Sequence, residues 1–360
     1  MKHCILLGTR PEIIKLSSLI RECRARRLDY FIIHTNQHYS DAMDTIFFKD
    51  LDLPQSTYNL NIGSGSHGEQ TGKMLVEIEK ILFVEKPDIL YVQGDTNTVM
   101  AGAITAVKIG IKIAHVEAGL RSYDRTMPEE INRIITDHVS DYLFTPTQKA
   151  VDILFGEGIP QSKIYNVGNT IVDAVQEGLI IARKINPLKA LGVKENEYFL
   201  LTLHRPSNVD NRKTLENIFQ GLSQVYQKYG LPIIFPIHPR TKKQVIKFDI
   251  NLPDGVIEIE PVGFLEMLRL EKGARLIFTD SGGIQEEACI MRKRCITLRD
   301  NTERPETIDV GGNMIAKRTP DNILRAAEQM LHKQVSWYNP FGDGTSAKHI
   351  LDIISQSGGD

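Results

Sequence analysis

The stretch CILLGTRPEIIKL, Cys4 to Leu16, passes from four apolar residues through Gly-Thr-Arg into a helix start. Cys4–Leu7 is a short continuous apolar run, the pattern of a parallel strand buried on both faces. Pro11 suits the first turn of a helix, where its missing N–H removes nothing the helix would use. Strand, tight loop and helix in that order predict the first βα unit of an open parallel sheet. Arg10 stands at the strand exit and Lys15 on the first turns of the helix. Two cations thereby reinforce the free N–H groups and positive dipole of a helix start, which suits an anion. Taken alone, the same residues fit a solvated surface helix equally well.

The pattern recurs along the chain, and the residues at the exit of each apolar run carry the information. Tyr30–Ile33 leads into His-Thr-Asn-Gln-His, Ile89–Val92 into Gln-Gly-Asp-Thr-Asn, and Ile113–Val116 into Glu-Ala-Gly-Leu-Arg. In the second half, Tyr198–Leu203 leads into His-Arg-Pro-Ser-Asn and Ile233–Ile237 into His-Pro-Arg. Arg275–Thr279 leads into Asp-Ser-Gly-Gly, and Cys295–Leu298 into Arg-Asp-Asn-Thr-Glu-Arg-Pro. Open α/β sheets bind ligands at the carboxyl ends of their strands. Two such sets predict an α/β chain of two Rossmann-like domains facing a cleft, residues 1–168 and 169–342, with a tail at 343–360. The stretch 185–196 reads as a surface connection. Asn339–Gly344, NPFGDG, is a dense turn signal before a helical tail with Ile350, Leu351 and Ile354 on one side.

Composition narrows the function classes. A chain of 360 residues favours two domains. With 41% apolar and 24% charged residues it reads as a soluble globular protein, and a net charge of -2 offers no basic surface for nucleic acid. Cys4, Cys23, Cys289 and Cys295 form no CxxC pair, which fits reduced thiols. No apolar leader precedes the first strand and no apolar run reaches membrane-spanning length, so a cytoplasmic location without membrane association is expected. No metal-ligand spacing of the HExxH kind is present, and His115 and His238 read as structural. Gly63–Gly68, GSGSHG, formally matches the dinucleotide fingerprint GxGxxG, but YNLNI before it alternates polar and apolar residues, unlike a buried parallel strand. It reads as a loop before a helix over 70–86. No nicotinamide site, and no other cofactor, is expected.

Asp280-Ser281-Gly282-Gly283 follows a strand and opens a helix, where glycines let a ligand approach bare backbone amides. Glu286 and Glu287 stand on the same first turns. Glu286 fits simple helix-start complementarity, whereas Glu287 fits an acceptor for ribose hydroxyls. Arg304, in NTERPET, leaves the next strand as a bidentate clamp for the same phosphates. The reactive groups gather in the first half: Asp95 in QGDTNT, Glu117 in HVEAGLRS, and Glu129 or Glu130 in PEEINRIITDH, with His204 from the second half. Like charges around one cleft push their pKa values apart, giving an acid and a base. First-turn acids also stabilise helices, so at most one of Glu129 and Glu130 is chemical.

Together these motifs resemble the non-hydrolysing UDP-N-acetylglucosamine 2-epimerases. GTRPEIIKL, GDTNT, HVEAGLRS, MPEEINR, LTLHR, TDSGGIQEEA, RDNTERPE and NPFGDG occur in that family's order over nearly the whole chain. The resemblance implies the two-domain GT-B fold, a homodimer, and a C-terminal helix crossing back to the first domain. It implies interconversion of UDP-GlcNAc and UDP-ManNAc without a redox cofactor. Arg10, Lys15, His204, Ser281, Gly282, Gly283, Glu287 and Arg304 would hold UDP, while Asp95, Glu117 and Glu129 would be catalytic. Met267 stands where bacterial relatives have a phenylalanine against the uracil. His204–Asn208 reads HRPSN where they have His-Arg-Arg-Glu-Asn, part of their activating second substrate site. NQHYSDAM and HGEQTGKM resemble the branch acting on UDP-diacetamido-uronate sugars, which leaves that sugar as an alternative, beside a GT-B glycosyltransferase and a non-catalytic sensor.

Overall fold

The protein is described by a computed structural model covering residues 1–36 and 47–357. The chain divides into two compact units, Met1–Glu177 with Phe341–Asp360, and Gly178–Pro340. Each is built on its own parallel sheet.

In the first unit, seven strands are ordered β3-β2-β1-β4-β5-β6-β7. They are β1 (Lys2–Leu7), β2 (Asp29–His34), β3 (Tyr58–Asn59), β4 (Ile89–Gln93), β5 (Lys112–Val116), β6 (Tyr142–Thr145) and β7 (Ile164–Asn166). The strand β1 pairs in parallel with β2 on one side and with β4 on the other, so the chain order reverses between β1 and β4. Cys4 to Leu7 are fully buried, because helices cover both faces. The helix Asn97–Lys108 lies directly on the centre of this sheet, and Gly102 permits it: a Cβ there would overlap Leu6 Cδ2 and sit 3.5 Å from Leu90 and Val92.

The second unit has six strands in the order β10-β9-β8-β11-β12-β13. These are β8 (Phe199–Thr202), β9 (Ile233–Pro236), β10 (Val256–Ile259), β11 (Leu276–Thr279), β12 (Cys295–Thr297) and β13 (Asn313–Ile315). Alternate residues of one strand serve two cores. Phe199, Leu201, Phe235 and Phe278 pack with Ile218, Leu222 and Ile323 on one face, while Leu200, Ile234 and Ile277 pack with Leu188, Leu270 and Ala288 on the other. The reversal here falls between β8 and β11, which pair from Leu276–Phe199 to Thr279–Thr202.

The tail helix Ser346–Ser357 buries Ile350, Leu351 and Ile354 within the first unit. Its start is satisfied by Asp173, which accepts from Ser346 N at 3.3 Å and Ala347 N at 3.0 Å. Arg26 Nη1 donates to Asp352 at 2.7 Å further along.

Some elements depart from the sequence reading. Tyr58–Asn59 does pair in parallel, with Ile33 and His34, as a two-residue edge strand whose outer position explains its polar alternation. The helix after it begins at His67 rather than 70, since Ser66 and Glu69 form a capping box. Within 185–196, Pro187–Leu191 forms a short helix that buries Pro187 and Leu188, while Lys189, Ala190, Gly192 and Lys194 to Asn196 are exposed, as a surface connection would be. All four cysteines are buried and unpaired. Among the described residues no helix is long and apolar enough to cross a membrane.

The close approach at Gly102 sets a test of this packing. Gly102→Val forces two branched methyls against Leu6, and overpacking of this kind costs about 1–3 kcal/mol. A urea midpoint equal to that of the wild type would show that the helix does not sit this close to the sheet.

Candidate active site

Each unit collects its candidate residues at the point where strand order reverses, the position at which a crevice opens between diverging loops. In the first unit the loop after β1 carries Arg10, the loop after β4 carries Asp95, and Glu117 follows β5 directly. The loops after β1 and β4 are tied together by Glu12. Its Oε2 accepts from Gly8 N and Thr9 N at 2.7 Å and from the Thr9 hydroxyl at 3.0 Å, and its Oε1 accepts from the Thr96 hydroxyl at 2.6 Å. Burial pushes the Glu12 carboxyl up to about 7, against the lowering effect of those four donors.

Glu117 is held at φ 68°, a left-handed conformation that costs a non-glycine residue roughly 1–3 kcal/mol and survives only where its surroundings enforce it. The enforcement is visible. Lys15 Nζ ion-pairs with Glu117 Oε2, and Gln93 Nε2 donates to the same oxygen at 2.9 Å. Lys15, read from the sequence as an anion ligand, therefore also neutralises a carboxylate in this structure. Arg10 lies at intermediate exposure with its guanidinium 5.3 Å from the ring of Phe47. Asp95 Oδ2 pairs with Arg133 Nη2 at 2.5 Å.

The two glutamates of the PEE motif separate cleanly. Glu130 is buried and accepts from Ser122 N and Tyr123 N at 2.9 Å, the Ser122 hydroxyl at 3.0 Å and Arg133 Nη1 at 2.9 Å. Burial works to raise its pKa, but these donors outweigh it and hold the carboxyl below its ordinary value. Glu129 is exposed on the same helix start. One residue organises the loop, and the other is accessible.

His115 belongs to the scaffold, as its sequence context suggested. Its Nδ1 lies 2.6 Å from Asp137 Oδ1, and Asp137 Oδ2 pairs with Arg121 Nη1 at 2.7 Å and accepts from Gly119 N at 3.2 Å.

In the second unit, the helix Gly282–Ile290 starts at the end of β11 with Ser281 at its N-cap. Protein packing does not demand its glycines. A Cβ at Gly282 would have Glu303 Oε2 at 4.0 Å as its nearest neighbour, and one at Gly283 would have Glu287 Oε1 at 3.8 Å. Open space above a helix start with bare amides suits a phosphate. Beside it, Asp280 is fully buried and gathers the loop after β8. It accepts from His204 N at 3.0 Å, Arg205 N at 2.9 Å and Asn208 Nδ2 at 3.0 Å, and its Oδ1 lies 3.0 Å from His204 Nδ1. Burial opposes ionisation of Asp280, yet the His204 ring and these amides hold it below its ordinary value. His204 is thus oriented with one ring nitrogen engaged. His238 caps the helix Pro239–Lys247 by accepting from Arg240 N at 3.1 Å.

Arg304 Nε pairs with Glu286 Oε1 at 2.7 Å, which gives Glu286 a structural role in aiming the guanidinium. Glu287 is buried beside it on the same helix. Met267 packs at the margin of the cluster formed by Leu270, Ala288 and Cys295. Of NQHYSDAM, residues 37–43 lie outside the described residues, as do Gln37 and His38 of the strand exit after β2. HGEQTGKM forms the start of the helix His67–Glu85, with Gln70 Nε2 donating to Gly63 O at 2.8 Å. Among the described residues no group of three or more His, Cys, Asp or Glu side chains is disposed to hold a metal ion.

Sequence reasoning passed over Glu12 and Asp280. Both stand inside motifs it used, and the available signal was an acidic residue flanked by N–H-rich turn residues at a strand exit.

Two parallel α/β units, each with its polar side chains gathered at a reversal of strand order, are the architecture of the GT-B class. A family model described as UDP-N-acetylglucosamine 2-epimerase matches residues 21–355. The UDP-N-acetylglucosamine 2-epimerase of Methanocaldococcus jannaschii is 57% identical, over 99% of this chain and 99% of its own length. A crystal structure of the M. jannaschii UDP-GlcNAc 2-epimerase in complex with UDP-GlcNAc and UDP superposes with a TM-score of 0.88 at 56% identity, covering 99% of this chain and 100% of that one. The UDP-2,3-diacetamido-2,3-dideoxy-D-glucuronate 2-epimerase of Pseudomonas aeruginosa is 39% identical, over 99% and 100% of the two chains. The chain belongs to the UDP-N-acetylglucosamine 2-epimerase family.

The contrast within the PEE motif is measurable as stability. Glu130→Gln leaves the amides of Ser122 and Tyr123 with a weaker, uncharged acceptor, a loss of about 1.5–3 kcal/mol for hydrogen bonds to a charged group. Glu129→Gln, exposed, shifts the unfolding free energy by no more than about 0.5 kcal/mol. Equal midpoints for the two variants would remove the distinction.

Proposed function

We propose that the protein interconverts UDP-GlcNAc and UDP-ManNAc by eliminating UDP to a 2-acetamidoglucal and adding it back. The observation that carries the reading is the placement of carboxylates in the first unit. Asp95 and Glu117 follow the adjacent strands β4 and β5, each beside a cation, and Glu129 is exposed on the next helix start. A site that only bound a diphosphate would gain nothing from three carboxylates, whereas proton transfer requires them.

The hydrogen at sugar C2 is not acidic, so the anomeric C1–O bond breaks first and its electron pair leaves with the β-phosphate oxygen. One carboxylate then takes the C2 proton, and the C–H pair forms the C1=C2 double bond. In the return step a proton is delivered to the opposite face of C2 and the UDP oxygen attacks C1. Arg10, Arg304, His204 and the amides of Ser281, Gly282 and Gly283 stabilise the departing diphosphate, where the largest charge develops. Glu287 accepts from the ribose hydroxyls. Lys15 and Arg133 balance Glu117 and Asp95, so these groups change protonation state in company with a fixed cation. The 57% identity to a UDP-GlcNAc 2-epimerase, against 39% to a diacetamido-glucuronate epimerase, favours GlcNAc as the substrate sugar.

Assembly as a homodimer and a cytoplasmic location belong to the same proposal. Val76, Phe83 and Val84 on the helix His67–Glu85, and Val107 on the helix Asn97–Lys108, expose 43–77% of their surface and supply apolar area for association. Four buried thiols are compatible with a reducing compartment.

Asp95→Asn, Glu117→Gln and Glu129→Gln are expected to bind UDP with near wild-type affinity while turnover falls roughly 10²–10⁴-fold, the range for loss of general acid–base catalysis. UDP affinity falling in step with turnover would assign these groups to binding instead. The route is tested by solvent isotope. Turnover of UDP-GlcNAc in D2O places deuterium at C2 of UDP-ManNAc, because the returning proton comes from a carboxylate that exchanges with water. Retention of the original hydrogen during epimerisation refutes the elimination, and UDP release that depends on an added acceptor indicates glycosyl transfer.

A further inference from the structure

Glu271 has no part in the elimination, and its surroundings are unusual. It lies on the helix Phe264–Gly273, which packs against the helix Gly282–Ile290, and it is 0% exposed. Among the described residues, neither of its carboxyl oxygens has a hydrogen-bond donor. The titratable groups that face it are the Glu287 carboxyl from the neighbouring helix, the Cys295 thiol on β12 and the Tyr198 hydroxyl beside β8. The Tyr198 hydroxyl already donates to Leu270 O, and none of the three is a cation. Elsewhere in this protein a buried carboxylate is surrounded by amides, hydroxyls or guanidinium groups, as at Glu12, Glu130, Asp137 and Asp280. Glu271 faces another carboxyl instead.

Physical chemistry leaves one arrangement. An ionised carboxylate with no donor in a dry interior costs far more than its proton. Two carboxyl groups in contact cannot both ionise, and one keeps its proton well above the ordinary range. Burial pushes the Glu271 carboxyl up, and the charge of Glu287 pushes it further in the same direction. Glu287 is the more exposed of the two, at 8% against 0%, so Glu287 carries the charge.

We propose that Glu271 is a neutral carboxylic acid whose O–H donates to Glu287, and that this proton positions the Glu287 carboxylate to receive the ribose hydroxyls of the UDP-sugar. Glu271 is a positioning residue: it acts through Glu287 and touches no substrate. The inference rests on the reading of Glu287 as the ribose acceptor. The pair bears a single negative charge, which limits repulsion of the diphosphate held one turn away at Ser281–Gly283. Two ionised glutamates there would oppose the substrate.

The test compares binding of UDP and 2′,3′-dideoxy-UDP by calorimetry in the full-length protein, together with infrared spectra in D2O. In the difference spectrum of wild type minus Glu271→Gln, in which the partly protonated Glu12 cancels, the carbonyl band of a protonated carboxyl is expected, and its absence overturns the proposal. Wild type and Glu271→Gln, which retains an N–H donor, are expected to favour UDP over the dideoxy analogue by roughly tenfold or more, the worth of a charge-assisted hydrogen bond. Glu271→Leu removes the donor and is expected to lose most of that preference while binding the dideoxy analogue as before. A general folding defect would weaken both ligands alike, and that result counts against a positioning role. UDP affinity in the wild type is expected to fall at alkaline pH as the shared proton is lost, and Glu271→Gln to lack that fall; identical pH profiles overturn the proposal. Glu287→Gln separates the two readings. If it abolishes the preference while Glu271→Leu keeps it, the ribose reading stands and the role of Glu271 fails. If Glu287→Gln keeps the preference, the ribose reading fails, and the positioning role falls with it even where the infrared band shows the shared proton.

Discussion

A carboxylate can be buried only where donors replace the water it gives up, and this constraint shapes both halves of the molecule. Loops at the carboxyl ends of parallel strands have N–H groups that no ladder satisfies. Glu12 collects those of Gly8 and Thr9, Glu130 those of Ser122 and Tyr123, and Asp280 those of His204 and Arg205. Asp173 does the same for the first amides of the tail helix. Asp280 and Asp173 each join segments distant in sequence, and Glu12 does so through Thr96, so the loop conformations become a property of the fold rather than of local propensity. A loop held this way presents Arg10, Glu117 or His204 in one orientation, which is what preorganised chemistry requires.

The same constraint sorts acids by role. Those whose donors outweigh burial, Glu130 and Asp280, are spoken for: their protonation would strand several donors, and they suit a structural task. Asp95, Glu117 and Glu129 are different. The first two are ion-paired, to Arg133 and to Lys15, and the third is exposed. The positive φ of Glu117 fits the catalytic role proposed for it, because a reactive side chain is one place where a residue is worth holding in that conformation.

Much of this was legible in the sequence because parallel sheets write a strong signal. Central strands such as Cys4–Leu7 are apolar throughout, and their exits are marked by Gly, Pro and charged residues. Edge strands escaped for the opposite reason: Tyr58–Asn59 is two residues long and wet on one side, and Val256–Ile259 alternates like a surface loop. For the proposed site, residue types at strand exits pointed to Asp95, Glu117, His204 and the Ser281–Gly283 cradle. They could not separate Glu129 from Glu130, since both satisfy the helix dipole equally well. Only the fold of the Ser122–Tyr123 loop onto Glu130 makes that distinction. Glu271 was invisible for a related reason, since an acid in the last turn of a helix reads as solvated until its burial is known.

The distribution of fixed charge explains why the reaction suits this scaffold. Elimination of UDP creates charge at the diphosphate and moves protons at C2, and the two demands conflict if served by the same groups. Carboxylates without a cation beside them would repel the leaving group. The protein answers by pairing. Lys15 with Glu117 and Arg133 with Asp95 are locally neutral, so in the proposed reaction a carboxylate that accepts a proton leaves a cation behind. In the second unit, a protonated Glu271 serves the same end by halving the charge of the acidic pair beneath the glycine cradle. Limiting the negative charge of each cluster, more than the presence of any one group, is what lets acids and anions share a site.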